Sequence, residues 1–171
     1  MDQEQHPDLA QLRALAERAV TEGRWTLRLT THVALGGLGS VGIMPTRGGE
    51  AVVVRFWDFN GDVQRLQSGN AGELKPTIHE RQFTANPENS RSLIGQLALL
   101  NVPVLPAPGG LTVDGVLYEI YCERGQHSTT MRWVSTAPKG WETVAVWFQA
   151  AWAGLSNGIG GSATETDESN D

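Results

Sequence analysis

The stretch from Gly36 to Gly42 reads GGLGSVG, and its glycines at Gly37, Gly39 and Gly42 have the G-x-G-x-x-G spacing of a dinucleotide-binding loop. Such a loop leads from a strand straight into a helix, whose free N–H groups then face a pyrophosphate. Here a strand precedes the glycines, but Ile43, Met44 and Pro45 follow, and then a Gly48-Gly49 turn. No helix can start there, and no acidic residue stands where a ribose would need one. The segment therefore reads as a flexible or bulged strand connection in which glycine allows close backbone approach. Nucleotide binding is not expected, and the strand–helix alternation of a doubly wound parallel sheet is absent from the sequence.

The remaining punctuation supports an α+β fold. Residues 8–23, DLAQLRALAERAVTEG, place Leu9, Leu12, Leu15, Ala16, Ala19 and Val20 on one helical stripe, with Asp8 as cap and Gly23 as stop. RWTLRLTTHVAL (24–35) and AVVVRFWDF (51–59) carry the β-branched and aromatic residues of strands. IMPTRGGE between them reads as a loop or strand edge ending in a turn. Asn60-Gly61 predicts a hairpin, with DVQRLQSG (62–69) returning antiparallel. KPTIHERQFT (75–84) predicts a strand. NPENSRSLIGQLALLN (86–101) predicts a helix capped by Asn86, with Pro87 at its first turn and Leu93, Ile94, Leu97 and Leu100 inward. VPVLPAPGG is a loop. LTVDGVLYEIYCE and HSTTMRWVS predict a second hairpin across Arg124-Gly125, and PKGWETVAVWFQAAWAGL (138–155) a final helix. Its inward face would hold Trp141, Val144, Ala145, Phe148, Trp152 and Leu155, leaving Trp147 as the most exposed tryptophan. The expectation is one α+β domain over residues 1–156: an antiparallel sheet of hairpins covered by N-terminal, middle and C-terminal helices.

Composition bounds the function. The chain has 171 residues, 40% of them hydrophobic, and no apolar run approaches the length of a membrane span. The polar, acidic start MDQEQHPDLAQ is unlike a secretory signal, and Cys122 is the single cysteine, so a cytoplasmic protein without a disulfide is expected. Lysine occurs only at Lys75 and Lys139 among 13 basic residues, an arginine bias typical of GC-rich bacterial genomes. The net charge is −6, and Glu165, Asp167, Glu168 and Asp171 supply most of it. Residues 157–171 thus read as an acidic, disordered tail. The body lacks the basic stripe that a nucleic-acid binder needs.

Chemical motifs are sparse. Ser40 is not in a nucleophile elbow, because Leu38 stands where glycine is required. DFNGD resembles a fragment of a calcium loop, but its glycine falls at the fourth position instead of the sixth. His6, His32 and His79 have no ligand spacing, so neither metal nor cofactor is expected. With a turn at Arg124-Gly125, Cys122 would face His127 across the hairpin, a pairing able to activate a thiol. The same face holds Val116, Tyr118, Ile120, Met131 and Trp133, so the cysteine reads as core.

DGVLYEI, MRW, Pro138 and the helix opened by Trp141 give the segment from Val113 to Leu155 a resemblance to small uncharacterised bacterial domains, some of them immunity-like or accessory proteins. The resemblance implies a bacterial, non-enzymatic binding role and transfers no catalytic residue. The expected function is a cytoplasmic binding or accessory protein acting through a surface on a protein partner, with no nucleic acid or membrane engaged and self-association open. The alternative is a small enzyme or ligand-binding domain with a pocket near Gly36–Gly42 or near Cys122 and His127.

Overall fold

The computed structural model describes residues 7–34, 36–69, 74–103 and 115–157. Most of the expected proline-rich loop (102–110) and acidic tail (157–171) lies outside them. The elements run α1 (Pro7–Thr21), β1 (Leu27–Val33), β2 (Leu38–Thr46), β3 (Gly49–Trp57), α2 (Phe59–Gln67), β4 (Ile78–Thr84), α3 (Pro87–Leu99), β5 (Val116–Arg124), β6 (His127–Val134) and α4 (Glu142–Ser156). The six strands form one sheet in the order β4-β3-β2-β1-β5-β6, and every neighbouring pair is antiparallel. This is the α+β architecture that the turn and helix signals predict.

Only the start of the glycine stretch is a strand connection: Gly36 and Gly37 lie in the turn between β1 and β2. From Leu38 onward it is β2, a strand deep in the sheet between β1 and β3. Close approach is the reason for its glycines, as expected, but within the ladder: a Cβ on Gly42 would fall 2.0 Å from the Leu27 carbonyl oxygen. IMPTRGGE accordingly holds the end of β2 and its turn into β3.

Asn60-Gly61 is not a hairpin either. It lies in the first turn of α2, where the Asp58 side chain caps the helix by accepting from the Gly61 N–H at 3.0 Å. Glycine is needed there because a Cβ would sit 2.3 Å from the Asp58 carboxylate. Asn-Gly signals a turn only when both residues take positive φ, and Gly61 is not among the positive-φ glycines.

The sheet buries two unlike faces. On one, Leu27, Leu29, Val41, Ile43, Val52, Val54, Ile120 and Trp133 form a continuous apolar floor under α3 and α4. Phe148 of α4 meets Tyr118 and Trp133 edge-on, with ring centroids 5.4 and 5.5 Å away. Asn86 caps α3 by accepting from the Glu88 N–H, as its sequence predicts. In α4, Val144, Trp147, Phe148, Ala151 and Leu155 are buried. Trp147 is therefore core, at 7% exposure, and Trp152 is the half-buried one. The helix faces both the sheet and α3, so its buried arc is wider than a single stripe.

The other face carries α1 over β2, β3 and β4, with α2 against α1. Leu12, Ala16 and Val20 of α1 pack with Leu38 and Trp57.

Candidate functional site

Alternation along β1, β5 and β6 sends Arg28, Thr30, His32, Glu119, Tyr121 and Arg132 to the α1 side of the sheet. This half of the face is polar, and on β6 it is open: Ser128, Thr130, Arg132 and Val134 are all exposed. Glu119 is buried and lies beside Arg132 in the β5–β6 register and beside Thr30 in the β1–β5 register. Its two oxygens are clamped from both sides. Arg28 Nη2 donates to Oε1 and Arg132 Nε to Oε2, each at 2.5 Å. Burial opposes the charge on Glu119, but the hydrogen bonds and charges of the two guanidiniums outweigh it and hold the carboxyl below its usual range. Arg28 also donates to the Thr21 carbonyl and lies over the Tyr121 ring. It is enclosed, whereas the Arg132 side chain is 64% exposed. The clamp thus fixes one guanidinium inside and presents another on the surface. The Thr30 hydroxyl is buried and has no hydrogen-bond partner among the described residues.

His32 borders this region. Burial lowers its pKa, Glu17 and Glu119 pull it up, and Arg13 and Arg132 push it down, for a net lowering. At neutral pH the imidazole is uncharged.

A second buried carboxylate, Asp62 in α2, is saturated. It accepts from the Trp57 indole (2.7 Å), the Thr77 N–H (2.8 Å) and the Thr77 hydroxyl (2.7 Å), and it pairs with Arg65 at 3.0 Å. Burial raises its pKa, yet Thr77, Trp57 and Arg65 together bring it below the usual range. It ties α2 to β3 and to the chain entering β4, which is a structural task.

The Cys122–His127 pairing does not form. The turn is Gly125-Gln126, so Arg124 faces His127 and Cys122 faces Thr129. Gly125 takes the positive φ (+63°) that the first turn position demands, and this moves the turn one residue later than Arg124-Gly125. The face assignment survives, because the shift is an even number of residues along the strand. Cys122 packs against the apolar core, and burial pushes its thiol up, only partly offset by Arg124. It is not an activated nucleophile.

Two clefts open on the α3/α4 side. One, about 330 Å³, is lined by Tyr118, Trp133, Phe148, Ser135 and Glu142 among others, and Ser135 beside it takes a left-handed φ of 54°. The other, about 220 Å³, lies between α3 and α4 over Ile43 and Val52. Neither is lined by Gly36–Gly42, Cys122 or His127. No group of three or more His, Cys, Asp or Glu able to hold a metal occurs among the described residues, and no helix there is long and apolar enough to cross a membrane.

Sequence reasoning missed Glu119, Arg28 and Arg132. The signal was present in β5, where Glu119 interrupts Leu117, Tyr118, Ile120 and Tyr121. A carboxylate buried in such a run needs a charged or hydrogen-bonding partner, and the flanking strands are where one can stand. No family model matches the chain, and no curated protein or solved structure shows significant similarity to it.

Proposed function

We propose that this chain is a binding or accessory module that acts on a protein partner through the open β5–β6 half of the α1-side sheet face. One observation carries the reading. The Arg28–Glu119–Arg132 clamp spends a buried carboxylate on holding an exposed arginine at a fixed place on an otherwise uncovered face. Arginine held this way loses little freedom on binding, and such residues are favoured anchors at protein interfaces. The rim is suited to the same use, with Ser128 and Thr130 as adaptable polar groups and Val134 as an apolar one. The chemistry of the groups buried here speaks for binding over catalysis. The two buried carboxylates among the described residues are both engaged by hydrogen bonds and arginines, and the one thiol is shifted away from reactivity. The resemblance of residues 113–155 to bacterial accessory domains supports the same reading, and the arginine bias and lone cysteine favour a bacterial cytoplasmic setting.

Photo-crosslinking in the producing cell tests it. A photoreactive residue at Ser128 should give an adduct with one partner polypeptide that is not a second copy of this chain. The same residue at Thr143, exposed on the outer side of α4, should give none. Equal labelling at both sites, or none at Ser128, would refute the assignment.

A further inference from the structure

The sheet ends in two edges of different character. β4 is a seven-residue strand whose middle carries His79, Glu80 and Arg81, with Glu80 paired to Arg55 at 2.7 Å. Charges of this kind discourage another strand from adding to an edge. β6 has eight residues, HSTTMRWV, with no proline and no lysine. Its register with β5 runs unbroken from Leu117↔Val134 to Arg124↔His127, so no bulge twists it away. No described strand lies beyond it.

The hydrogen-bond pattern fixes which groups this edge offers. The Ser135 N–H donates to the Val116 carbonyl at 2.7 Å. Antiparallel bonding alternates, so His127, Thr129, Met131 and Trp133 direct their backbone groups to β5. Ser128, Thr130, Arg132 and Val134 turn theirs outward.

We infer that two copies of this chain associate by antiparallel pairing of β6 with β6, about a twofold axis at Met131. A twofold axis perpendicular to the sheet keeps each face on its own side, so outward-bonding residues must oppose outward-bonding residues. Centring at Met131 sets Thr130 opposite Arg132 of the second copy, and Ser128 opposite Val134 of the second copy. This register uses every outward group, giving about eight hydrogen bonds at two per facing pair. The strand also suits itself electrostatically. Its one permanently charged residue, Arg132, meets a threonine and not another arginine, and Glu119 holds that guanidinium in place. On the opposite face Met131 meets its own copy, and Trp133 meets Thr129.

The inference deepens the proposed function. Pairing would make the open half-faces of two copies continuous across β6, doubling the binding surface. It is measured without any partner, so its failure leaves the crosslinking result at Ser128 standing.

Light scattering on the full chain over a concentration series is the test. The species should approach twice the 18.5 kDa chain mass as concentration rises. Thr130→Lys puts a like charge opposite Arg132 of the second copy and should weaken association by tenfold or more. Thr130→Glu should tighten it. Thr130 is exposed, so in both variants circular dichroism and the thermal midpoint of the isolated subunit should hold. Met131→Cys supplies an independent readout. Residues facing each other across the axis have Cα atoms about 4.5 Å apart in a non-hydrogen-bonded pair, which a disulfide spans. Mild oxidation should link this variant into a covalent dimer and leave the parent chain, with only Cys122, unlinked. A monomer at every concentration overturns the inference. So does a dimer that ignores both charge variants and does not crosslink at position 131, since its interface lies elsewhere.

Discussion

The two faces of this sheet solve the problem of burial in opposite ways. The α3/α4 face is filled by hydrocarbon and rings: Tyr118 and Trp133 stack with centroids 5.3 Å apart, and Phe148 stands edge-on to both. Its stability is spread over many small contacts, each replaceable. The α1 face instead joins two smaller apolar clusters, around Leu12 and around Trp25, to a few polar knots. Ser40 donates to the Val20 carbonyl, Arg55 to the Ala19 and Glu22 carbonyls, Asp62 gathers Trp57 and Thr77, and Glu119 gathers two arginines. A face held by knots leaves part of its area free of covering helix, and a binding surface can be placed there. A face held by packing must be covered to exist at all.

The largest effect should come from breaking the packed face. Trp133→Ala removes a ring that touches Tyr118, Trp141 and Phe148, and such truncations cost about 3–5 kcal/mol through lost burial and the cavity left behind. Against the roughly 5–15 kcal/mol available to a domain of this size, chemical denaturation should show a severe loss. A loss under about 1 kcal/mol would mean that this face is not the core.

The next effect belongs to the knot. Glu119→Gln keeps the shape and removes the charge, stranding the enclosed Arg28. Breaking a buried pair costs about 3–5 kcal/mol, and the mostly solvated Arg132 should bring this to about 2–3 kcal/mol. Trp133→Ala should leave the crosslinking pattern at Ser128 qualitatively intact in whatever protein folds. Glu119→Gln should degrade it even in folded protein, because Arg132 loses its anchor. Equal crosslinking in folded Glu119→Gln would separate the clamp from the surface.

Acidification sharpens the contrast without any mutation. Glu119 and Asp62 have folded-state pKa values below their usual ones, so they bind protons more readily in the unfolded chain. Their stabilising contribution is complete above the ordinary carboxylate range, near pH 4, and is lost as pH falls through the depressed values. The lowered pKa of His32 acts with the same sign in a separate window that opens below pH 6.5. Stability measured by denaturant titration should therefore step down twice on acidification, and Glu119→Gln should flatten the lower step. An unchanged lower step in that variant would show that the clamp contributes nothing to the acid limb.

The same contrast explains how far the sequence could be read. The packed face was legible because packing is periodic. The stripe of α4 and the alternation of β5 and β6 both follow from the spacing of apolar residues, and Asn86 with Pro87 announces α3 locally. Trp147 was misread because the width of a buried arc depends on α3, a neighbour distant in sequence. The knots were not legible. Asp58 and Gly61 fit a helix cap as well as a turn, and the choice is made by Asp62, which reaches Trp57 and Thr77 only once α2 exists. Arg28 and Glu119 are 91 residues apart, so no local pattern joins them. The polar half of the sheet, where the function is placed, is the part that periodicity describes least.

The smallest effect expected is at His127, and it tests the β5–β6 register that sets Arg132 beside Glu119 and Trp133 beside Tyr118. If Cys122 faced His127, an imidazole about 5 Å away at Cβ would promote the thiolate, and removing it would slow alkylation. The observed pairing sets Thr129 opposite Cys122 and carries His127 to the exposed tip beside Arg124. The thiol is then governed by burial, which keeps it protonated at neutral pH. His127→Ala should shift stability by less than about 0.5 kcal/mol, as for most exposed substitutions. It should also leave the iodoacetamide reaction of Cys122 slow and unchanged in rate, whereas unfolding in denaturant should accelerate that reaction in both proteins. A rate that falls in His127→Ala alone would put the histidine back against the cysteine. A register slip of that kind would also carry Trp133 off Tyr118 and Arg132 off Glu119, although its even length would keep each β6 residue on its own face.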